Sequence, residues 1–199
     1  MTQVEICNMA LGHLGMNDIT LITDSTPTAQ ACNKYWLPAL KDIYREARIP
    51  FSTVMLALVD STTTSGIIGY TYIYTYPSTA ITVWAVFDEG SQDKRYDQDF
   101  EVLTAVDGTA MEKVICTTLD DAYAEYTYLV TDPEVFDPKF ALALSYRLAS
   151  IMAHTLVRDP EKGLRLLEIS NIVLGEAKRI NKVEQIKKPP QSSGYVNSR

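Results

Sequence analysis

The chain has 199 residues, 46% of them hydrophobic and 22% charged, with a formal net charge of −7. This is ordinary globular composition, long enough to bury roughly 70% of the unfolded surface in one core, which excludes collagen-like and intrinsically disordered classes. Three widely spaced cysteines and two histidines without motif partners exclude a disulfide framework and a zinc module, so neither a cofactor nor a metal is expected.

The stretch MTQVEICNMALGHLG has neither the basic start nor the long apolar run of a signal peptide, and no leader is expected. Nowhere does an apolar run reach the roughly 18 residues that would suggest a bilayer span. Thr2 and Glu5 form a T-x-x-E capping box, in which each side chain can satisfy the other's free backbone donor. Cys7, Ala10, Leu11 and Leu14 follow at helical spacing and Gly15 supplies the stop, which predicts a helix over 2–14.

Ser25 or Thr26 ahead of Pro27 opens a second helix, predicted over 27–48, with Ala31, Tyr35, Ala39, Ile43 and Ala47 on its apolar face. Pro38 inside it removes a bond to Lys34 and predicts a kink. STTTSG, residues 61–66, reads as a loop. YTYIYTY, residues 70–76, alternates strictly, placing Tyr70, Tyr72, Tyr74 and Tyr76 on one face of a strand. AITVWAVF (80–87), RYDQDFEVL (95–103), MEKVICTTL (111–119) and AYAEYTYLV (122–130) make a set of about five strands. The turn signals DEGSQD and VDGT between them favour an antiparallel meander within a β insertion over about 68–131.

The next stretch, TDPEVFDPKF (131–140), carries Asp132, Glu134 and Asp137, two of them directly before proline. Past it the period becomes 3.6. Phe140, Leu144, Leu148 and Ile151 stripe a helix over 138–158, and Leu166, Ile169, Val173, Ala177 and Ile180 stripe another over 160–183. Asp137-Pro138 and Asp159-Pro160 repeat one device, an N-cap carboxylate ahead of a first-turn proline, worth roughly 1 kcal/mol each. Phe136 outside and Ala141 inside fit a hydrophobic staple. KKPPQSSGYVNSR (187–199) has no period and reads as an extended tail. From Lys178 onward stand six basic residues and Glu184 alone among acids, while twelve basic and twenty-four acidic residues precede them. That asymmetry marks 185–199 as an interaction arm.

The reading is therefore α+β: an antiparallel helix bundle of two N-terminal and two long C-terminal helices, an inserted small antiparallel sheet of about five strands, and an extended C-terminal arm. One domain covers 1–184. A catalytic role for Asp132, Glu134 and Asp137 would need two carboxylates of separated acidity facing a scissile bond, and no nearby histidine or cation splits their acidities. Stacked bases on the tyrosine face would bring phosphates onto Asp60, Asp88, Glu89 and Asp93, and no lysine or arginine lies between residues 49 and 93 to neutralise them. No phosphate-binding glycine loop or nucleophile elbow occurs. No catalytic residue is assigned; Thr2, Asp137 and Asp159 are read as helix caps and the tyrosines as a cover for a helix or a neighbouring subunit.

Taken in order, these motifs resemble the head-to-tail adaptor family of short-tailed bacteriophages, also called tail tubular protein A or gateway protein. ICNMALGHLGMNDITLITDSTPTAQACNKYWLPALKDIYREA looks like that family's opening, and Tyr76-Pro77 looks like its Y-P step. YLVTDPEVFDPKFALALSYRLASIMAHTLVRDPEKGLRLLE is similar to its Y-x-x-x-x-T-D-P-x-x-F-D-P-x-F segment running into an alanine- and leucine-rich helix. In ARIPFS, Phe51 stands where many members place tryptophan.

The resemblance implies a non-enzymatic virion protein at the head-to-tail junction, made in the host cytoplasm. It implies a twelve-subunit ring between the portal protein and the tail nozzle (tail tubular protein B), with double-stranded DNA passing through the lumen without sequence-specific binding and no membrane partner. An acidic lumen would let DNA slide instead of stick. The arm is expected to dock on the portal or an adjacent subunit through Lys187, Lys188 and Arg199, with Tyr195 as apolar anchor. The alternative from another class is a tail-associated carbohydrate hydrolase using Asp132, Glu134 or Asp137. A third is a head-completion or tail-terminator ring elsewhere on the same conduit.

Overall fold

The computed structural model describes residues 1–63, 67–88 and 99–184, the last four as backbone only. Among these residues the elements run α1 (Gln3–Leu14), α2 (Pro27–Glu46), β1 (Thr53–Ala57), β2 (Tyr72–Thr75), β3 (Ala80–Asp88), β4 (Phe100–Asp107), β5 (Ala110–Thr117), β6 (Ala122–Tyr128), α3 (Pro138–Leu156) and α4 (Pro160–Glu184), with short 3₁₀ turns at Pro50–Ser52 and Pro133–Val135. The class is α+β, with four helices and two three-stranded antiparallel sheets. No helix among the described residues is long and apolar enough to cross a membrane.

Each helix begins on a polar side chain that takes up free first-turn donors. Thr2 accepts from the Glu5 amide at 3.2 Å and Glu5 returns a bond from the Thr2 amide at 2.8 Å. Thr26 accepts from the Ala29 amide at 3.3 Å. Gly15 ends α1 at φ 76°, a conformation that costs a residue with a Cβ but not glycine. α2 stops at Glu46 because Ala47 already has extended angles, φ −130° and ψ 122°, and it stays helical on both sides of Pro38.

α3 is the hub of the helical part. Cys32 Sγ lies 3.8 Å from Met152 Sδ, and Tyr44 stacks on Phe140 with centroids 5.1 Å apart, so α2 runs antiparallel to α3. Lys139 bonds Glu176 at one end of the α3–α4 pair, and Gly163 packs against Ser150 and Ala153 at the other, so α4 is antiparallel too. α1 meets α3 where His13 stacks on Tyr146 at 3.9 Å. A helix with three helical neighbours needs small side chains to admit them, and Ala141, Ala143, Ala149 and Ala153 are fully or almost fully buried between Phe140, Leu144, Leu148 and Met152.

The single meander of about five strands expected over 68–131 is corrected to two sheets, ordered β1-β6-β3 and β2-β5-β4. β1 falls before that region and had no alternation to announce it; its burial fades from half-buried to exposed along the strand, and pairing with β6 defines it. Consecutive β5 and β6 lie in different sheets, the chain turning between them through Asp121 at φ 47°. Both are central strands, buried at successive positions: Val114 to Thr117 in β5 and Ala124 to Thr127 in β6. The sheets share a core in which Tyr74 and Ile115 of one meet Val86, Ala122, Ala124 and Tyr126 of the other. A separate small cluster, Ala105, Val114 and Cys116, lies on the opposite face of the second sheet.

β2 is shorter than the alternating stretch 70–76 and holds Tyr72 and Tyr74 only. The strand expected at 95–103 starts at Phe100 and extends to Asp107, and the part of it before Asp99 lies outside the described residues. So do the loop residues 64–66 and the whole expected arm 185–199, with Lys187, Lys188, Tyr195 and Arg199.

Candidate functional site

The acidic stretch resolves into capping. Asp132 Oδ1 accepts from the Glu134 amide at 3.0 Å, holding the 3₁₀ turn, and Asp137 Oδ1 accepts from the Lys139 and Phe140 amides at 2.8 and 3.2 Å. Asp159 Oδ1 does the same for the Lys162 amide at 2.9 Å at the head of α4. Glu134 remains exposed. Phe136 packs edge-on against Phe140 at 5.1 Å and beside Phe51 at 5.9 Å. The apolar partner inside the helix is thus Phe140, one residue earlier than the staple position at Ala141, because the aromatic ring reaches further than alanine can.

The tyrosines do not form one open face. Tyr72, Tyr74 and Tyr76 pack on the core shared by the sheets, whereas Tyr70 joins the separate cluster with Ile73 and Leu103. Tyr74 donates to the Leu119 carbonyl at 2.9 Å and accepts from the Ala122 amide at 3.3 Å, which pins the turn between β5 and β6. Burial raises the Tyr74 phenol above its ordinary pKa, and the Asp120 charge does the same for Tyr72. Tyr76 lies under the Lys113 ammonium, 3.5 Å from its ring centroid. These rings are structural members of a folded sheet pair.

One polar centre has no precursor in the sequence motifs. Arg147 of α3 is 3% exposed, and its guanidinium binds the helices on either side, α2 and α4. Nη1 donates to Asp42 at 2.6 Å, Nη2 to Glu46 at 2.6 Å and to Asn171 at 2.6 Å, and Nε reaches Ser170 at 3.4 Å. Ser170 in turn donates to the Ala143 carbonyl at 2.9 Å. Desolvation works against this charge, but the bonds and charges of Glu46 and Asp42 outweigh it and raise the arginine's pKa, while Arg147 holds the Glu46 carboxyl below its usual range. The signal was present: Arg147 stands between Leu144 and Leu148 on an apolar stripe, and Asp42 and Glu46 sit one turn apart on α2. What no local pattern shows is that α4, expected at 160–183, brings Ser170 and Asn171 to the same guanidinium.

Around this centre opens a groove of about 620 Å³, lined by Asp42, Glu46, His154, Leu164 and Leu167. α4 carries exposed apolar side chains: Leu164, on the groove's rim, is 63% and Ile172 64% exposed. The sheets carry others, with Leu56 at 54% and Met111 at 77%. His13 Nε2 sits 3.1 Å from Ser145 Oγ, and burial lowers its pKa, as suits a packed histidine. Among the described residues no group of three or more His, Cys, Asp or Glu is placed to hold a metal ion.

No protein-family profile and no curated protein sequence matches the chain.

Proposed function

We propose that this chain is a structural subunit of a head-to-tail adaptor ring in a short-tailed bacteriophage virion, seated between portal and tail nozzle and enclosing a passage for double-stranded DNA. In this reading the four helices form an antiparallel bundle carrying the β-strands as an insertion, and residues 185–199 serve as the docking arm. The observation that carries the reading is the pairing of a capped, motif-rich entry to α3 with large apolar side chains left uncovered on α4 and on both sheets. Exposed apolar surface on several sides of a small protein marks contact with protein neighbours, and a ring subunit needs at least two such faces, one for each neighbour. Two of the three carboxylates that a hydrolase would need, Asp132 and Asp137, are engaged in capping, which favours a structural role for them.

Electron microscopy of the protein alone and after mixing with its portal protein tests the proposal. Ring-shaped complexes on the portal, lost when the chain is truncated after Glu184, are the expected outcome. Absence of any complex, or attachment unchanged by truncation, overturns the adaptor role or the role of the arm respectively.

A further inference from the structure

A cavity of about 470 Å³ opens between α2 and the sheets, and its charge is the reverse of the chain's. Lys41 and Arg45 line it from α2, one turn apart, and Lys113 lines it from β5. Ser78 and Thr79, in the turn before β3, add hydroxyls to the rim, and Ile81 and Leu129 supply an apolar wall. Its one carboxylate, Asp42, is taken by Arg147 at 2.6 Å. Among the described residues, no carboxylate comes within ion-pair distance of Lys41, Arg45 or Lys113. Lys113 rests on the Tyr76 ring instead, and burial followed by the Arg45 charge holds its amine below the ordinary pKa. Three cations converging on one concavity repel each other, and an anion among them would convert that repulsion into attraction.

We propose that this cavity binds a small phosphate monoester. Three cations match a dianion better than a singly charged carboxylate or phosphodiester, and a phosphate's several acceptor oxygens can engage an arginine fork, two ammonium groups and hydroxyl donors together. The volume lies in the range of small-ligand sites and exceeds what an inorganic ion needs, so the apolar wall of Ile81 and Leu129 is left to contact the organic part. The inference does not depend on the adaptor reading.

Isothermal titration of the full chain with inorganic phosphate, adenosine monophosphate and a short DNA duplex lacking terminal phosphates is the test. Saturable one-to-one binding of phosphate, tighter binding of the monoester and weak, salt-sensitive binding of the duplex are expected. The Arg45→Gln/Lys113→Gln variant should lose at least tenfold in affinity for both small ligands; should it misfold by circular dichroism, Lys41→Gln on the exposed side of α2 reads out the same loss. No saturable binding up to about 10 mM overturns the site. So does an unchanged affinity in the variants. Tightest binding by the duplex assigns the cations to a polyanion surface, and phosphate binding no weaker than the monoester removes the organic part; either outcome overturns the proposal as stated.

Discussion

At the scale of single residues the energetic centre is Arg147, and its asymmetry is testable. Asp42 and Glu46 are 53% and 46% exposed in their side chains, against 3% for the arginine. Removing the arginine returns two carboxylates to water, whereas neutralising both carboxylates leaves a buried guanidinium without counter-charge. Asp42→Asn/Glu46→Gln should therefore destabilise more than Arg147→Met, by about 3 kcal/mol or more for the double variant in urea unfolding. Titration gives a second expectation. His13 has its folded pKa lowered from 6.5 by burial, and Glu46 has its lowered from 4.5, first by its bond to Arg147. Both depressed values mean stability that is full above the unfolded pKa and is lost as pH falls. Urea midpoints should first decline below about pH 6.5, the ordinary histidine value, and decline again below the usual glutamate range, with Arg147→Met removing the glutamate contribution. At the α3 cap, Asp137→Ala should cost about 1 kcal/mol and Asp137→Asn much less, because asparagine keeps the acceptor.

At the scale of elements, two glycines on helices separate propensity from packing. A Cβ added at Gly175 of α4 would meet nothing within 4 Å, whereas one at Gly163 would lie 3.0 Å from the Ser150 carbonyl oxygen and 3.4 Å from Ala153 Cβ. Gly175→Ala should thus raise stability by about 1 kcal/mol through helix propensity alone. Gly163→Ala should fall short of that gain or reverse it, since α3 would have to give way. Thermal unfolding of both variants checks the contrast. The strands teach the complementary lesson. AITVWAVF and AYAEYTYLV disclose β3 and β6 by composition, yet nothing local says that β6 pairs with β1 and β3 while β5 takes β2 and β4. β1 went unseen because its residues, Thr53 to Ala57, follow no two-residue period.

For the molecule as a whole, exposed apolar side chains decide what can be tested about assembly. Leu164 and Ile172 contribute little to the core, so Leu164→Lys/Ile172→Lys should leave the melting temperature nearly unchanged while abolishing any ring or portal complex seen by electron microscopy. An unaltered complex would place the subunit contacts elsewhere, on the sheets that carry Leu56 and Met111.

Local chemistry was enough to announce the helices and their starts. Thr2, Thr26, Asp137 and Asp159 act on amides within three residues, and such bonds form wherever the backbone turns, whatever surrounds them. The apolar stripe of α3 was legible because burial repeats with the helix period. On α4 the expected Ile169 and Ile180 are exposed, and Ser170 and Leu174 take the inward positions beside Leu166 and Ala177, because packing against α3 sets which face turns in. Tertiary structure alone decided the partition of six strands into two sheets, the split of Tyr70 from Tyr72, Tyr74 and Tyr76, the Arg147 network and the cationic cavity. Each of these depends on groups far apart in the chain, with Arg147 lying 105 residues from Asp42. Their strength comes from desolvation and from charges brought into proximity, and neither exists until the helices and sheets have packed.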